Sequence, residues 1–334
     1  MELRRQTYTG EVLDPLQGFA PTRSSVEVRW DPLLGHPARL VRSRTPLLPR
    51  SNVDLEALAA TGRERCPFCP ERIMEATPRL RPEIHAEGRI SRGEAVLFPN
   101  LLTYNQHSSV SVYSPRLHFL PLERMTDALV TDNLSTQVEF VRAVTAFDRA
   151  ARWASINANH LPPSGSSILH PHLQGGVDPQ PSTLQAMMAA VPASRFEDYV
   201  ATERGLGERF IADTGRVRWL ASFAPIGFNE VRGVVAGMAS PTELDDATTA
   251  ELGSGIARVL RVYAELGMQS FNMALVGAPL DGGDTLINLR MVCRSNPDVQ
   301  YRSDAMYSER LHWQAMVDTS PEELAEQARP HFAG

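Results

Sequence analysis

Two short motifs hold the side chains of this sequence that are best suited to chemistry. A His-Pro-His sequence at residues 170–172 is followed by Gln174, and a cysteine pair, Cys66 and Cys69, lies upstream. Residues two apart on an extended segment point to the same face, so both imidazoles and the Gln174 amide share one predicted surface. A histidine there can act as a nucleophile, and an amide can donate a hydrogen bond to a phosphate oxygen. The motif predicts covalent catalysis at a phosphate, with the histidines dividing the work of binding and reacting.

The cysteine pair has three interpretations. A thioredoxin-like redox pair opens a helix after a strand, whereas Cys66-Pro67-Phe68-Cys69 follows a polar, charged segment and precedes another proline. Zinc fits better, because thiolates on a tight turn are usual ligands of tetrahedral zinc. Two ordinary cysteines are the remaining alternative. The sequence therefore predicts half of a zinc site, which needs two further ligands.

Composition narrows the class of protein. The chain has 334 residues, of which 43% are hydrophobic and 22% charged, with three cysteines and a net charge of -6. These values predict one large or two smaller globular units and argue against both a nucleic-acid surface and a disulfide framework. The polar start and the lack of a long apolar run predict neither a secretory signal nor a membrane span. We expect a cytoplasmic protein with no nucleic-acid or membrane partner.

The predicted elements occur twice in the same order. Each half has two strands, a helix, a strand, a loop and a final strand. In the first half these elements are strands at 95–98 and 109–113, a helix over 133–153 capped by Asp132, a strand from Trp153 to Asn157, and the segment 170–174. In the second half they are strands at 218–224 and 230–236, a helix over 245–266, and strands at 270–276 and 286–292. The pattern predicts a duplicated α+β unit, with antiparallel sheets that carry packed helices and join edge to edge.

We place the boundary between the halves at 1–180 and 181–334. Aligning their loop-to-strand junctions sets His170 opposite Asn288 and His172 opposite Arg290, so only the first half carries the histidine pair. A helix is predicted from Pro321, capped by Ser320, with no chemical role. Five other histidines are assigned no chemistry, namely those at 36, 85, 107, 312 and 331.

The segment at 159–174 resembles the active-site signature of the galactose-1-phosphate uridylyltransferase family, a branch of the histidine-triad superfamily. The resemblance extends in order over residues 30–330. It includes the region at 31–44, the cysteine pair, the Phe98-Pro99-Asn100 sequence and the segment at 114–122. Family members consist of two fused histidine-triad units, in keeping with the internal repeat.

The resemblance implies a closed zinc site with two cysteine and two histidine ligands: Cys66, Cys69, His118 and His170. Such a set is structural, because no coordination position stays open for water. The familiar enzymes carry a second His-x-His motif in the other half, which helps to bind another metal. This chain has Asn288-Leu289-Arg290 there. No second metal is therefore expected, and what the second half recognises stays open.

The resemblance also implies a role for each remaining residue. His172 would attack the α-phosphorus of a nucleotide-sugar, expel a sugar 1-phosphate and pass the nucleotidyl group to a second phosphate-bearing acceptor. Ser167 and Gln174 would hold phosphate oxygens, with help from Asn159. The residues expected to contact the nucleotide's β-phosphate, base and ribose are Arg42 or Arg44, Phe98 and Asn100.

Several functions stay open from the sequence. The acceptor would be a sugar 1-phosphate, or inorganic phosphate in a phosphorylase variant. A nucleotide-conjugate hydrolase is a second hypothesis, disfavoured because related branches carry a third histidine where this chain has Gln174. A non-catalytic, zinc-stabilised nucleotide-binding protein is a third. Uridine is favoured only because the family that the sequence resembles uses uridine nucleotides. The sequence does not identify the sugar. A homodimer is implied by the resemblance alone.

Overall fold

The structure is a computed structural model that describes residues 1–41, 46–51, 53–299 and 303–333. Arg42 and Arg44 lie outside these ranges, so their contacts with phosphate stay predictions. Within the ranges, none of the helices combines the length and the apolar character that crossing a bilayer requires.

The strands are β1 (Arg5–Asp14), β2 (Ala20–Trp30), β3 (Pro37–Val41), β4 (Ile90–Arg92), β5 (Ala95–Pro99), β6 (His107–Val112), β7 (Trp153–His160), β8 (His172–Asp178), β9 (Phe210–Thr214), β10 (Val217–Ala221), β11 (Phe228–Val235), β12 (Ser270–Val276), β13 (Asn288–Arg294) and β14 (Ala315–Val317). The helices are α1 (Leu55–Ala60), α2 (Ile73–Ala76), α3 (Asp127–Phe147), α4 (Thr183–Ala189), α5 (Ala193–Leu206), α6 (Asp246–Glu265), α7 (Tyr307–Arg310) and α8 (Pro321–Phe332).

Ten strands form one sheet in the order β4-β5-β6-β8-β7-β12-β13-β11-β10-β9. Neighbouring strands are antiparallel throughout. Counted inward from either edge, the strands follow the same chain order, so the second half repeats the first about the β7–β12 pair. The prediction of a duplicated α+β unit with antiparallel strands is confirmed, and the two copies share one continuous sheet.

The repeat fixes which residues of the two halves correspond. Gln174 and Arg290 are each the third residue of their strand. They pair with Asn157 and Ala274, which are each the fifth residue of theirs. Arg290 therefore takes the place of Gln174, and Asn288 takes the place of His172. The alignment drawn from the sequence was two residues out of register, because it matched the start of the second strand to His170, whereas β8 begins at His172.

Helices α3 and α6 cover one face of the large sheet, and their apolar side chains form the main core with those of alternate strand residues. Leu173 and Met273 belong to this core. Because side chains alternate along a strand, His172, Gln174 and Asn272 project from the opposite face. A second core under α5 covers the outer part of that face in the second half.

The helix boundaries follow the capping residues. The predicted helix over 133–153 was placed too late, since α3 begins at Asp127 and ends at Phe147. Thr126 is the N-cap, its side chain accepting a hydrogen bond from the backbone N–H of Leu129, and Asp132 lies inside the helix. The α6 and α8 predictions are confirmed, with Asp245 and Ser320 as N-caps.

A smaller sheet has the order β1-β2-β3-β14, in which β14 runs parallel to β3. Strands β1 and β2 make a long ribbon that is mostly exposed. Its outer end exposes four apolar side chains: Val12, Leu13, Leu16 and Phe19.

Candidate active site and metal centre

Four side chains that the family resemblance assigned to zinc come together in the interior. The ligand atoms of Cys66, Cys69, His118 and His170 lie within 4.8 Å of one another, and all four residues are buried. The Sγ of Cys66 is 3.6 Å from Nδ1 of His170, and the Sγ of Cys69 is 3.3 Å from Nδ1 of His118. A tetrahedral zinc ion with bonds of about 2.3 Å to sulfur and about 2.0 Å to nitrogen separates such atoms by about 3.5 Å. The cluster therefore fits one metal ion.

The surrounding hydrogen bonds orient both histidine ligands. The Nε2 of His118 donates to the carbonyl of Ala59 at 2.9 Å, and the Nε2 of His170 donates to the carbonyl of Ser114 at 2.9 Å. Each bond leaves the Nδ1 lone pair directed at the cluster, as backing contacts commonly do at metal sites. These contacts connect α1, the turn after β6 and the loop before β8.

Electrostatics also suits this cluster to a cation. Burial, with the adjacent Cys66, raises the pKa of the Cys69 thiol to about 12. Burial lowers the pKa of His170 to about 4, so its imidazole is neutral and able to coordinate. A thiolate in such a place requires a positive charge beside it, which a bound metal ion supplies.

His172 lies beside this cluster with one nitrogen fixed. Its Nδ1 donates to the carbonyl of His170 at 2.9 Å, which leaves Nε2 as the nitrogen with the lone pair. Within the described ranges no hydrogen bond occupies Nε2. Burial lowers the pKa of His172, which favours the neutral, nucleophilic imidazole. The rings of His170 and His172 both meet Phe68 edge-on, at centroid distances of 5.9 and 5.5 Å.

Amide side chains form a hydrogen-bonded series next to His172. The Nδ2 of Asn159 donates to Oε1 of Gln174 at 3.5 Å, and the Nδ2 of Asn272 donates to Oδ1 of Asn159 at 2.6 Å. This arrangement holds the carbonyl end of Gln174 and leaves its Nε2 donor for a ligand. Gly175 follows Gln174 on β8. A Cβ added at Gly175 would lie 2.2 Å from Oε1 of Gln137 on α3. The helix therefore supports the strand closely behind the candidate site.

The structure places the remaining predicted residues in three different surroundings. Ser167 is exposed in the loop before His170. Asn100 is half-buried and accepts a hydrogen bond from the backbone N–H of Leu102 at 3.0 Å. Phe98 is 1% exposed, with its ring 5.3 Å from that of Phe68, so it lies behind the site rather than open to a base. Base and ribose contacts by Phe98 and Asn100 stay predictions.

Three residues at the site were not predicted from the sequence. Phe68 was noted only as part of the cysteine motif, although its ring contacts the rings of both His170 and His172. Asn157 and Asn272 lie on the same sheet face as Gln174. Asn272 could have been predicted only after the two halves were aligned. The alignment places β12 beside β7, where Asn272 pairs with Asn159.

Comparisons with solved structures identify the fold. A GalT-like protein from Arabidopsis thaliana is 17% identical with a TM-score of 0.67, over 90% of this chain and 98% of that protein. An ADP-glucose phosphorylase from Arabidopsis thaliana, solved with bound ADP-glucose, is 17% identical with a TM-score of 0.68, over 91% and 98%. A uridylyltransferase is 19% identical with a TM-score of 0.59, over 91% and 98%. The chain therefore shares the fold of these three proteins.

A closer relative defines the family. A protein of Archaeoglobus fulgidus, described as uncharacterized, is 31% identical over 343 residues, which cover 98% of both chains. The chain belongs to the same family as this archaeal protein. No family model matches the sequence.

Proposed function

We propose that the protein is a nucleotidyltransferase that forms a covalent nucleotidyl-His172 intermediate. The observation that carries the proposal is the hydrogen bond from Nδ1 of His172 to the His170 carbonyl, because it fixes Nε2 as the nucleophile. The same bond stabilises the positive charge that develops on the ring during attack.

In the first half-reaction Nε2 of His172 attacks the α-phosphorus of a nucleotide-sugar. A P–N bond forms, and the bond from the α-phosphorus to its bridging oxygen breaks. The sugar 1-phosphate leaves with the electron pair of that bond. The Nε2 of Gln174 donates to a non-bridging oxygen, where negative charge increases in the transition state. Asn159 positions Gln174 for this contact.

Zinc, when bound at the four-ligand cluster, would supply a fixed scaffold. His170 is the link, since its ring belongs to the cluster and its carbonyl orients His172. The chain's own contribution is to hold the loop before β8 so that the His172 ring cannot rotate. A closed set of two cysteines and two histidines leaves no coordination position for substrate or water.

In the second half-reaction a phosphate oxygen of the acceptor attacks the same phosphorus and the P–N bond breaks. The acceptor is a sugar 1-phosphate, or inorganic phosphate in a phosphorylase. Support for testing inorganic phosphate and ADP-glucose comes from the solved structure described as an ADP-glucose phosphorylase with bound ADP-glucose. The family resemblance supports UDP-glucose equally.

Two alternatives use the same residues. A hydrolase would accept water at the intermediate, but Gln174 holds the position where related branches have a third histidine. A non-catalytic nucleotide-binding protein would retain zinc and bind nucleotides without turnover. The fixed tautomer and the low pKa of His172 favour catalysis over mere binding.

Product analysis separates these functions. Zinc-loaded protein is incubated with UDP-, ADP-, GDP- or CDP-glucose, and with galactose 1-phosphate, inorganic phosphate or no acceptor. We expect transfer to one of the two acceptors and no turnover without them. Nucleoside monophosphate accumulating over many turnovers without acceptor would indicate the hydrolase.

His172→Ala is the decisive variant for this assay, and it should form no product with any pair of substrates. His312→Ala is the matched control, because His312 is exposed and contacts only the ring of Tyr307 among the aromatic side chains described. Full activity in His172→Ala would contradict the proposal.

A further inference from the structure

The second half carries a buried charge cluster on the sheet face that bears His172 in the first half. Arg290 on β13 pairs with Arg232 on the adjacent strand β11. Nε of Arg290 donates to Glu230, and an Nη of Arg232 donates to Oδ2 of Asp31 at 2.7 Å. These four side chains are between 0% and 3% exposed. Two ion pairs in the second half therefore occupy the part of the sheet face that carries histidine and amide side chains in the first half.

Arg290 is incompletely satisfied by the protein. Its Nη1 and Nη2 are buried, and neither has a hydrogen-bond partner within the described part of the chain. A guanidinium offers five N–H donors, and only the Nε donor is used here. Leaving buried donors of a charged group unmatched is costly. The Nη edge of the Arg290 guanidinium is therefore left for an acceptor that the described residues do not supply.

Arg290 lines a cavity of about 280 Å³. The rest of the lining is largely apolar, with Leu34, Leu184, Met187 and Trp313 among the residues. Glu309 also lines the cavity, and its burial, with Asp304 nearby, raises its pKa. A largely apolar cavity with a few convergent polar and charged groups is the usual composition of a small-molecule site.

We propose that this cavity binds a small organic oxyanion, a carboxylate or phosphate monoester attached to an apolar body. The two Nη groups of Arg290 match two oxygens of such a group in the bidentate geometry that guanidinium favours. The apolar lining holds the body of the ligand. Glu230 fixes the guanidinium from the Nε side, so the site is built before the ligand arrives.

The site is separate from His172. Gln174, Asn157, Ala274 and Arg290 lie in one row across four adjacent strands. Three strand spacings of about 4.8 Å place Arg290 about 14 Å from Gln174. Arg290 is therefore too far away to contact a group bonded to His172, and an oxyanion can bind at Arg290 whether or not His172 is catalytic.

Isothermal titration of zinc-loaded protein with benzoate, phenyl phosphate and inorganic phosphate tests the site. We expect benzoate or phenyl phosphate to bind more tightly than inorganic phosphate, because only these two fill the apolar cavity. Arg290→Lys keeps a cation beside Glu230 but loses the fork, and should weaken binding about tenfold or more. Benzoate binding alone identifies a carboxylate site, and phenyl phosphate binding alone identifies a phosphate-monoester site.

Two further variants keep the test independent of how well Arg290→Lys folds. Met187→Trp fills the cavity and should abolish binding, whereas Leu206→Trp, on an exposed side chain at the end of α5, should leave it unchanged. The proposal is overturned if neither organic probe binds at about 10 mM, the weak end of specific recognition. It is overturned equally if binding persists in Met187→Trp.

Discussion

The orientation of the His172 ring depends on the backbone carbonyl of His170 rather than on a charged partner. The Nδ1 contact to the His170 carbonyl joins His172 to a residue of the buried cysteine and histidine cluster two positions earlier in the chain. A side chain held this way needs no carboxylate to orient it, which in the proposed reaction keeps negative charge away from the incoming phosphate.

Gln174→Ala should lower kcat about 100-fold, as the loss of one donor to a developing oxyanion does elsewhere. The free energy of unfolding should change little, because Gln174 is only half-buried. Steady-state kinetics with the accepted donor checks this. Gln106→Ala, on the exposed side of the Asp148 contact, is the control and should keep wild-type kcat. An unchanged kcat in Gln174→Ala would remove Gln174 from the proposed site.

Asp31 should make stability depend on pH. Burial alone would raise its pKa, but Arg232, with His36 and Arg290, holds it well below its usual range. A carboxyl with a lowered folded pKa contributes stability above its unfolded pKa of about 3.9, and this contribution is lost as pH falls further. At pH 7 we expect Asp31→Asn to lose about 3 kcal/mol, because Arg232 keeps an unpaired buried charge.

Urea unfolding at pH 7, 5 and 3.5 checks this expectation. The wild type and Asp31→Asn should differ fully at the first two values and approach each other at the third. Asp213→Asn removes the exposed pair with Arg204 and should cost less than about 1 kcal/mol. A difference between wild type and Asp31→Asn that is the same at all three pH values would contradict the assigned ion pair.

Helices α3 and α6 pack directly on each other as well as on the sheet. A Cβ added at Gly253 would lie 2.2 Å from Oγ1 of Thr131 and 2.9 Å from its backbone N and Cα. Backbone cannot move aside as a long side chain can. The close approach of the two helices is therefore a feature that only glycine permits at this position.

Gly253→Ala should destabilise the protein by about 1–3 kcal/mol through overpacking. Gly205→Ala is the matched change, because it lies in α5 with open space around it. That substitution should be neutral or stabilise by up to about 1 kcal/mol, since alanine is the better helix former. Thermal unfolding of both variants checks the pair, and equal effects would contradict the tight α3–α6 contact.

Elements with strong local signals were predictable from the sequence. The helix predicted over 245–266 matches α6 to within one residue at each end, Ser320 with Pro321 gave the correct start of α8, and β12 was predicted with its exact bounds. The turn after Asp31 is stabilised by its own side chain, which accepts from the N–H groups of Leu33 and Leu34.

Elements that depend on distant partners were not predictable. The ion pair of Asp31 with Arg232 joins residues far apart in sequence, so no local pattern announces it. The start of α3 was misplaced because Thr126 and Asp132 are both acceptable caps, and only packing against α6 selects one. The metal set was predicted through the family resemblance, since spacing alone gave only its cysteine half.

The whole molecule is a repeat whose halves carry different side chains at matching positions. The first half carries the buried cluster of Cys66, Cys69, His118 and His170 together with His172, while the second half has Arg290 at the position of Gln174. The domain boundary at residue 180 and the homodimer stay predictions. The exposed apolar end of the β1–β2 ribbon is the surface at which we would seek a second copy.

Removing the metal should affect the entire first half. We expect Cys66→Ser to lose bound zinc and to lower the free energy of unfolding by at least about 3 kcal/mol, because a structural metal contributes folding free energy directly. Cys293→Ala, a buried cysteine outside the cluster, should keep one zinc per chain. Metal analysis and urea unfolding check both variants. Wild-type zinc content in Cys66→Ser would contradict the assigned ligand set.

Intact mass after incubation with each nucleotide-glucose donor, without acceptor and without acid, shows whether the covalent intermediate forms on His172. We expect a gain of one nucleoside monophosphate per chain, located by peptide mapping on His172 and absent from His172→Ala. The donor that gives the adduct identifies the base. If a folded, zinc-containing protein turns over a donor while its adduct maps to another residue, His172 is not the nucleophile.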